Sequence, residues 1–187
     1  MKFYTYYSVT NFSNCYLLGG RADREALLID PGIFDEGLLR IIEGNGFYVR
    51  HVLLTHSHLA HVNGIRTLRK IYDVRLHALE PSALEFPAER IDEATSLELA
   101  GYPIRVLATP GHSNDSACYL TGRMLFTGDT LASGSIGETS SRYEQALLLA
   151  SVRSKILPLP DNVLLFPGHG PPSTLELEKR FNPRLAE

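Results

Sequence analysis

Hydrophobic and polar residues alternate along the chain in a pattern that predicts interleaved strands and helices. Short apolar runs that stop at Gly, Pro or polar pairs are typical of buried strands, and apolar positions three and four apart indicate helices. The predicted strands are residues 3–9, 14–20, 25–32, 50–55, 74–79, 102–111, 116–122, 123–129 and 162–168. The predicted helices are residues 35–46, 62–73, 143–159 and 173–181, with one helical turn at 81–86. Residues 87–96 show no clear period.

This order of elements, with polar residues gathered at strand ends, predicts an α/β or α+β layered domain. The residues able to do chemistry follow four strand ends, after Leu54, Ala108, Thr127 and Phe166. Side chains from several strand ends converge at one edge of a sheet, where α/β folds normally place their site. A chain of 187 residues is long enough to bury a real core, and we expect one domain over residues 1–187.

Composition narrows the classes of partner. The hydrophobic content of 44% and charged content of 21% are ordinary globular values, and the net charge is −3 without any basic run. These values argue against a nucleic-acid or anionic-membrane partner. No stretch has the apolar core of a signal peptide or the length of a membrane span, so we expect a cytoplasmic protein with a small-molecule substrate. Cys15 and Cys118 are predicted to be buried thiols, and the oligomeric state is left open.

Histidines are concentrated where the predicted strands end. Three lie within six positions of the segment "THSHLAH", and two others follow strands in the loops "TPGH" and "FPGH", while "FTGDT" brings an aspartate to a similar position. Five imidazoles and one carboxylate suit a borderline metal such as zinc, or iron or manganese. Unrelated loop histidines are the poorer interpretation of such clustering; His51 and His77, within predicted strands, are interpreted as structural. The candidate metal ligands are His56, His58, His61, His112, Asp129 and His169.

The motifs "THSHLAH", "TPGHSNDS", "FTGDTL" and "FPGHGP", in this order and spacing, resemble those of the metallo-β-lactamase fold superfamily. The resemblance extends from Cys15 to the C-terminus. The segments "GDTLASGSIG" and "LPDNVLLFPGHGPPST" are similar to those of short glyoxalase II-like hydrolases, which lack the C-terminal helical domain of full glyoxalase II. The resemblance implies an αββα four-layer sandwich, in which helices flank two mixed β-sheets and the metal site lies at one edge of the sheets.

The same resemblance implies roles for the candidate ligands. His56, His58 and His112 would hold a first metal ion, and His61 and His169 a second, with Asp129 bridging the two. Asp129 and His61 are the implied catalytic residues, and one or two zinc ions the implied cofactor, with iron or manganese as alternatives.

Position 60 departs from the family pattern HxHxDH, because Ala60 stands where the family has aspartate. Two histidines and one carboxylate remain an acceptable ligand set, but with one anionic group fewer we expect the second metal to bind more weakly. Asp115 is either a replacement ligand, a residue that orients a histidine, or, as we favour, a turn residue of an Asn-Asp pair. Asp30, which in the family supports the site from behind, is interpreted as structural.

These features predict a metal-dependent hydrolase in which a metal-held water attacks a thioester or ester of a small molecule. Glu138 stands where glyoxalase II-like relatives usually have arginine. It either inverts a charge near the mouth of the site, which puts a glutathione thioester in doubt, or is a solvated loop residue. Two alternatives stay open: a single-iron enzyme similar to persulfide dioxygenases, for which the loss at Ala60 would be harmless, and a non-catalytic metal-binding protein.

Overall fold

The computed structural model describes residues 2–20 and 24–185, which form two six-stranded sheets and a small hairpin. The first sheet has its strands in chain order: β1 (Lys2–Tyr7), β2 (Asn14–Gly19), β3 (Glu25–Ile29), β4 (Tyr48–Leu54), β5 (Arg75–Ala78) and β6 (Glu89–Arg90). Strands β1 to β3 pair antiparallel, whereas β3 to β6 pair parallel. The first sheet is therefore mixed.

The second sheet is mixed as well. Its strands are β7 (Leu97–Leu99), β8 (Tyr102–Ala108), β9 (Ala117–Thr121), β10 (Met124–Gly128), β13 (Leu164–Pro167) and β14 (Ser173–Thr174). They lie in the order β14-β13-β10-β9-β8-β7, and only β10 and β13 pair parallel. The hairpin consists of β11 (Leu131–Ala132) and β12 (Ser135–Ile136).

Five helices accompany the sheets in the described part of the chain. They are α1 (Glu36–Gly44), α2 (Leu59–Val62), α3 (Ile65–Leu68), α4 (Arg142–Ser151) and α5 (Leu175–Phe181). A 3₁₀ turn covers Pro81–Ala83, and a π-helical turn, Val152–Ile156, continues α4. In this part of the chain no helix combines the length and apolar character needed to cross a bilayer.

Three apolar clusters define the layers. Strand residues alternate between the two faces of each sheet, so each sheet contributes to two clusters. The middle cluster joins the facing sides of the sheets through residues such as Tyr16, Leu53 and Phe126. The first outer cluster packs Leu38 of α1 against the first sheet, and the second packs Leu148 of α4 against the second sheet. The predicted αββα sandwich with two mixed sheets is confirmed.

The helix predicted over residues 62–73 does not exist as one element. Residues 62–73 do not form a single helix but contribute to the two short helices α2 and α3, which break at Gly64. The Gly64 amide donates to the Pro31 carbonyl at 2.9 Å, and a Cβ at Gly64 would lie 2.4 Å from that oxygen. The chain bends because this glycine backbone docks against the loop after β3, a contact that helical periodicity does not reveal.

The last predicted helix begins two residues later than expected, because Ser173 and Thr174 pair with β13 as strand β14. The other short strands, β6, β7, β11 and β12, contain two or three residues each and are too short to produce a period in the sequence. Cys15 and Cys118 are buried and unpaired, as predicted.

The strand ends needed for a site agree closely with those in the sequence. Strands β4 and β8 end at Leu54 and Ala108, the positions after which the candidate ligands were expected, and β10 and β13 end one residue beyond the expected positions, at Gly128 and Pro167. The predicted strand ranges themselves extend one to three residues too far. Strands β8, β10 and β13 run in the same direction, because β9 is antiparallel to both β8 and β10 and β13 is parallel to β10. Their carboxyl ends therefore reach the same edge of the second sheet.

Candidate metal centre

Hydrogen bonds link the two sheets at the edge where the candidate ligands lie. The Ala117 amide donates to the Thr55 carbonyl at 2.8 Å, and the hydroxyl of Tyr119 donates to the Leu54 carbonyl at 2.6 Å. Gly128, at φ +50°, allows close approach, since a Cβ there would lie 2.4 Å from Thr55 Oγ1. The end of β4 is thus held against the second sheet, from which His112, Asp129 and His169 arrive.

Three imidazole nitrogens meet at one point of this edge. His58 Nδ1 lies 3.1 Å from His56 Nε2 and 3.0 Å from His112 Nε2. The remaining ring nitrogens of His56 and His112 already have partners: His56 Nδ1 faces the Thr55 hydroxyl at 3.1 Å and His112 Nδ1 faces the Glu138 carbonyl at 2.7 Å. His112 Nδ1 is the donor because a carbonyl oxygen can only accept. His56 Nδ1 is the donor because the Thr55 hydroxyl gives its own hydrogen to Asp30 at 2.6 Å.

The consequence of these partners is a fixed tautomer. With Nδ1 protonated, His56 and His112 each direct an Nε2 lone pair toward His58, where a single proton can satisfy only one of them. A cation among the three nitrogens satisfies all of them. Metal-binding histidines characteristically donate their other N–H to a carbonyl, carboxylate or hydroxyl in this way. The donor set fits a metal ion.

A second group contains His56, His61 and Asp129. His61 Nδ1 lies 3.0 Å from the buried carboxylate of Asp30, so this nitrogen is the donor. The other nitrogen, His61 Nε2, is fully buried without a hydrogen-bond partner, 3.5 Å from Asp129 Oδ2. An unpartnered buried nitrogen is costly, and a cation between His61 and Asp129 removes that cost.

Asp129 lies between the two groups. Its Oδ2 atom is 3.8 Å from His56 Nε2 and 3.7 Å from His112 Nε2, while Oδ1 accepts a hydrogen bond from His169 Nδ1 at 2.8 Å. His169 belongs to neither compact group and is 39% exposed. It therefore contacts the centre through Asp129, from the solvent side.

Burial and these contacts shift the pKa values of the candidate ligands. Burial, with nearby His61, lowers the pKa of His56 to about 3, and burial with His112 lowers the pKa of His58. Burial also acts against protonation of His61, but Asp30 and Asp129 outweigh it and raise that pKa to about 10. Burial alone would raise the pKa of Asp129, yet the hydrogen bond from His169 and the nearby His61 imidazole hold it well below its usual range. His56 and His58 are therefore neutral and Asp129 is ionised, the forms that bind metals, whereas His61 carries a proton that a metal ion would displace.

Ala60 lies in the first turn of α2. The Ala60 carbonyl accepts hydrogen bonds from Asn11 Nδ2 at 3.1 Å and Ser13 Oγ at 2.8 Å. It also lies against Gly32, where a Cβ would be 1.6 Å from the same oxygen. The backbone between His58 and His61 is therefore held by the loops that precede β2 and α1, whatever the side chain at this position.

Asp115 lies in the turn between β8 and β9 and belongs to neither group of candidate ligands. This position agrees with the turn interpretation. Asp30, by contrast, is buried and accepts hydrogen bonds from the Thr55 amide, the Thr55 hydroxyl and His61. Thr55 was missed in the sequence; its place directly before His56 at a strand end was the only available signal.

The centre opens into a cavity of about 370 Å³, within the range of small-molecule sites. His112, Asp129 and His169 line this cavity together with Ala132 and residues 135–138. Glu138 is exposed and its side chain has no ion-pair partner among the described residues. It borders the cavity, so the interpretation as a residue near the mouth of the site is compatible with its position.

Comparison with known proteins identifies the superfamily to which the chain belongs. The family model of the metallo-beta-lactamase superfamily matches residues 9–100 and 80–169, and the chain belongs to this superfamily of metal-binding proteins, whose members are typically hydrolases. The chain is 33% identical to hydroxyacylglutathione hydrolase GloC of Haemophilus influenzae, over 95% of each chain. It is 30% identical to the mitochondrial persulfide dioxygenase ETHE1 of Bos taurus, over 91% of this chain and 70% of that protein. The crystal structure of BLEG-1 B3 metallo-beta-lactamase superposes with a TM-score of 0.88 at 29% identity, over 100% of both chains.

Proposed function

We propose that this protein is a metal-dependent hydrolase of a thioester or ester of a small molecule. The observation that carries the proposal is the convergence of His56, His58 and His112 beside Asp129, because His112 and Asp129 also line a cavity of about 370 Å³. Similarity to the hydroxyacylglutathione hydrolase GloC supports a thioester as the substrate class.

In this proposal His56, His58 and His112 would hold a first zinc ion. His61 and Asp129 would hold a second, together with His169, whose Nδ1 donates to Asp129 and whose other ring nitrogen would be the ligand. When bound, such ions supply a nucleophilic water near neutral pH and polarise the carbonyl under attack. The residues of the chain set the geometry of the site: Thr55 and the Glu138 carbonyl orient two of the imidazoles, and Asp30 orients His61.

The charge of the centre argues for a weaker second ion. Asp129 is the single carboxylate in the two groups of candidate ligands, so it alone offsets two dications. Ala60 contributes no acid to the second group. We therefore expect hydrolysis to be slow, because the position that would help to orient the attacking water lacks its carboxylate.

Metal content tests the site assignment. Protein purified without added metal is expected to retain zinc, and His58→Ala is expected to lose it because the complete ligand group is broken. His51→Gln is a matched control, since His51 lies outside the centre and contacts His77 at 3.1 Å. Full metal content in the His58→Ala variant would mean that the metal lies elsewhere.

Hydrolysis of a small hydroxyacyl-glutathione thioester tests the activity. We expect a slow, chelator-sensitive rate that returns when zinc is added. A kcat/KM on the order of 10⁶ M⁻¹s⁻¹ or more would contradict a weakened centre. No hydrolysis of any thioester or ester by fully zinc-loaded protein would contradict the proposed function.

One observation favours a second candidate, a single-iron enzyme of the persulfide dioxygenase kind. The three-histidine group is complete whereas the second group lacks the acid at Ala60, and the chain is 30% identical to the persulfide dioxygenase ETHE1. Retention of one iron per chain, with oxygen consumption in the presence of a persulfide, would select this candidate. About two zinc ions per chain would select the hydrolase.

A further inference from the structure

A second cavity, of about 530 Å³, lies beside the one that opens from the candidate metal centre. Residues 135–138 line both cavities, so the two are neighbours along this segment. The second cavity is also lined by Arg142, Gln145 and Arg184. A molecule that places one end at the metal centre can therefore extend along the segment into a space bordered by two guanidinium groups.

Neither guanidinium group has an anionic partner in the described part of the chain. Arg142 and Arg184 are both exposed, and neither guanidinium group forms an ion pair or hydrogen bond with another described residue; Arg184 bonds Asn182 Oδ1 only through its backbone amide, at 3.0 Å. Arg180 on α5, by comparison, pairs with Glu176 at 3.6 Å. Arg142 is also the first residue of α4, where the helix dipole disfavours a positive charge. Its position stabilises neither the helix nor a salt bridge.

Buried polar contacts hold the second cavity in shape. Glu178 and Asn182 are each only 3% exposed. Glu178 Oε2 accepts a hydrogen bond from the Gly134 amide at 2.9 Å, and Asn182 Nδ2 donates to the Ser135 carbonyl at 3.1 Å. These bonds attach the C-terminal segment that carries Arg184 to the hairpin of β11 and β12. The segment of Arg184 is consequently held beside hairpin residues that line the cavity, whereas Arg142 is held by its place at the start of α4.

We infer that this second cavity binds the anionic tail of the substrate, a carboxylate or a phosphate, while the thioester or ester lies at the metal centre. The inference rests on the proposed function and names its substrate class. Guanidinium groups match carboxylate and phosphate oxygens in a two-pronged geometry. Glu138 opposes the anion with one negative charge, but the two arginines leave the lining net positive.

Binding of thioethers that resist hydrolysis separates recognition of the tail from chemistry. Calorimetry on the zinc-loaded protein compares S-hexyl-pantetheine, which is neutral, with S-hexylglutathione, which carries carboxylates, and S-hexyl-coenzyme A, which carries phosphates. We expect at least one anionic probe to bind about tenfold more tightly than the neutral probe, since tenfold corresponds to about 1.4 kcal/mol. The anionic probe that binds more tightly identifies which of the two groups the cavity takes.

Charge-removing variants assign the effect to the arginines. Arg142→Gln and Arg184→Gln are each expected to weaken the preferred anionic probe about three- to fivefold, the range of a partly exposed ion pair, and to leave the neutral probe unchanged. Arg105→Gln is the matched control, because Arg105 is an exposed arginine of β8 that lines neither cavity. Both changes are at the surface, so the variants are expected to fold.

Two results would overturn the inference: anionic probes that bind no more tightly than the neutral one, or tight binding that is unchanged in both arginine variants. These results can be distinguished from a failure of the proposed function. Arginine-dependent binding without any thioester or ester hydrolysis would contradict the hydrolase and leave the anion site in place. Hydrolysis without arginine-dependent binding would support the hydrolase and contradict the anion site.

Discussion

Replacing Asp30 by Asn perturbs the candidate centre through a single buried atom. Asp30 Oδ1 accepts from the Thr55 amide at 2.8 Å, while Oδ2 accepts from the Thr55 hydroxyl at 2.6 Å and from His61 Nδ1 at 3.0 Å. Asp30 also has a positive φ of 51°, which Asn tolerates nearly as well as Asp. The substitution therefore changes charge and hydrogen bonding with little change in backbone strain.

In the Asp30→Asn variant the amide oxygen keeps the Thr55 amide, and the NH₂ group takes the place of Oδ2. The Thr55 hydroxyl can rotate to accept from this group, but His61 Nδ1 then faces a donor, so a proton on Nδ1 is disfavoured. The ring keeps its proton on Nε2, the nitrogen that faces Asp129. Metal binding through Nε2 requires the opposite tautomer, with Nδ1 protonated, and is therefore weakened.

The magnitude follows from the bond that is lost. A hydrogen bond to a charged group contributes about 1.5–3 kcal/mol. We expect the unfolding free energy of the chelator-treated variant to fall by about this amount. The affinity of the second metal is expected to fall about ten- to a hundredfold, the usual effect of removing a residue that orients a metal ligand. The first metal site, which does not include His61, is expected to change little.

The assay is a metal titration against a competing chelator, combined with denaturant unfolding of the metal-free protein. Asp35→Asn is the matched control: Asp35 is the N-cap of α1 and accepts both of its side-chain bonds, from Tyr6 and Leu38, through Oδ1, which Asn retains. Second-site affinity and stability in Asp30→Asn equal to those of the control would refute the reasoning.

Three further changes test other parts of the molecule. Ala60→Asp is expected to tighten the second metal and leave the first unchanged, as measured by chelator competition; equal affinities would mean that another group, for which Asp115 is a candidate, already compensates. Gly168→Ala is expected to weaken the second metal, because its Cβ would lie 2.4 Å from His61 Cε1 and 2.6 Å from Asp129 Oδ1; unaltered binding would show that the loop adjusts freely. Burial lowers the pKa of His77 to about 4, below its value of about 6.5 in the unfolded chain. Between these two pH values the unfolded chain binds the proton and the folded one does not, so the unfolding free energy falls with decreasing pH, by up to ~1.4 kcal/mol per pH unit. His77→Gln is expected to reduce this slope in denaturant titrations of metal-free protein, and an unchanged slope would assign it to other groups.

The sequence alone determined the class of fold and the kind of chemistry. The candidate ligands were expected after Leu54 and Ala108, where β4 and β8 do end, since the change from apolar to polar residues at a strand end is a local signal. Ligand types and their spacing are local as well, so the group around His56 and His58 could be proposed from the motif "THSHLAH". The roles of these residues as metal ligands stay predictions until metal is measured.

Only the tertiary structure decided which side chains meet across long separations in the chain. Three features depend on the packing of segments that are distant in sequence. They are the contact of Asp30 with His61, the hydrogen bond from His112 to the Glu138 carbonyl, and the break between α2 and α3 at Gly64. Arg142 and Arg184 likewise have no detectable relation until α5 docks on the β11–β12 hairpin. Local patterns specify elements and candidate ligands, because those depend on neighbouring residues. Pairings between elements depend on how the sheets and helices bury their apolar faces, and that arrangement exists only in the folded chain.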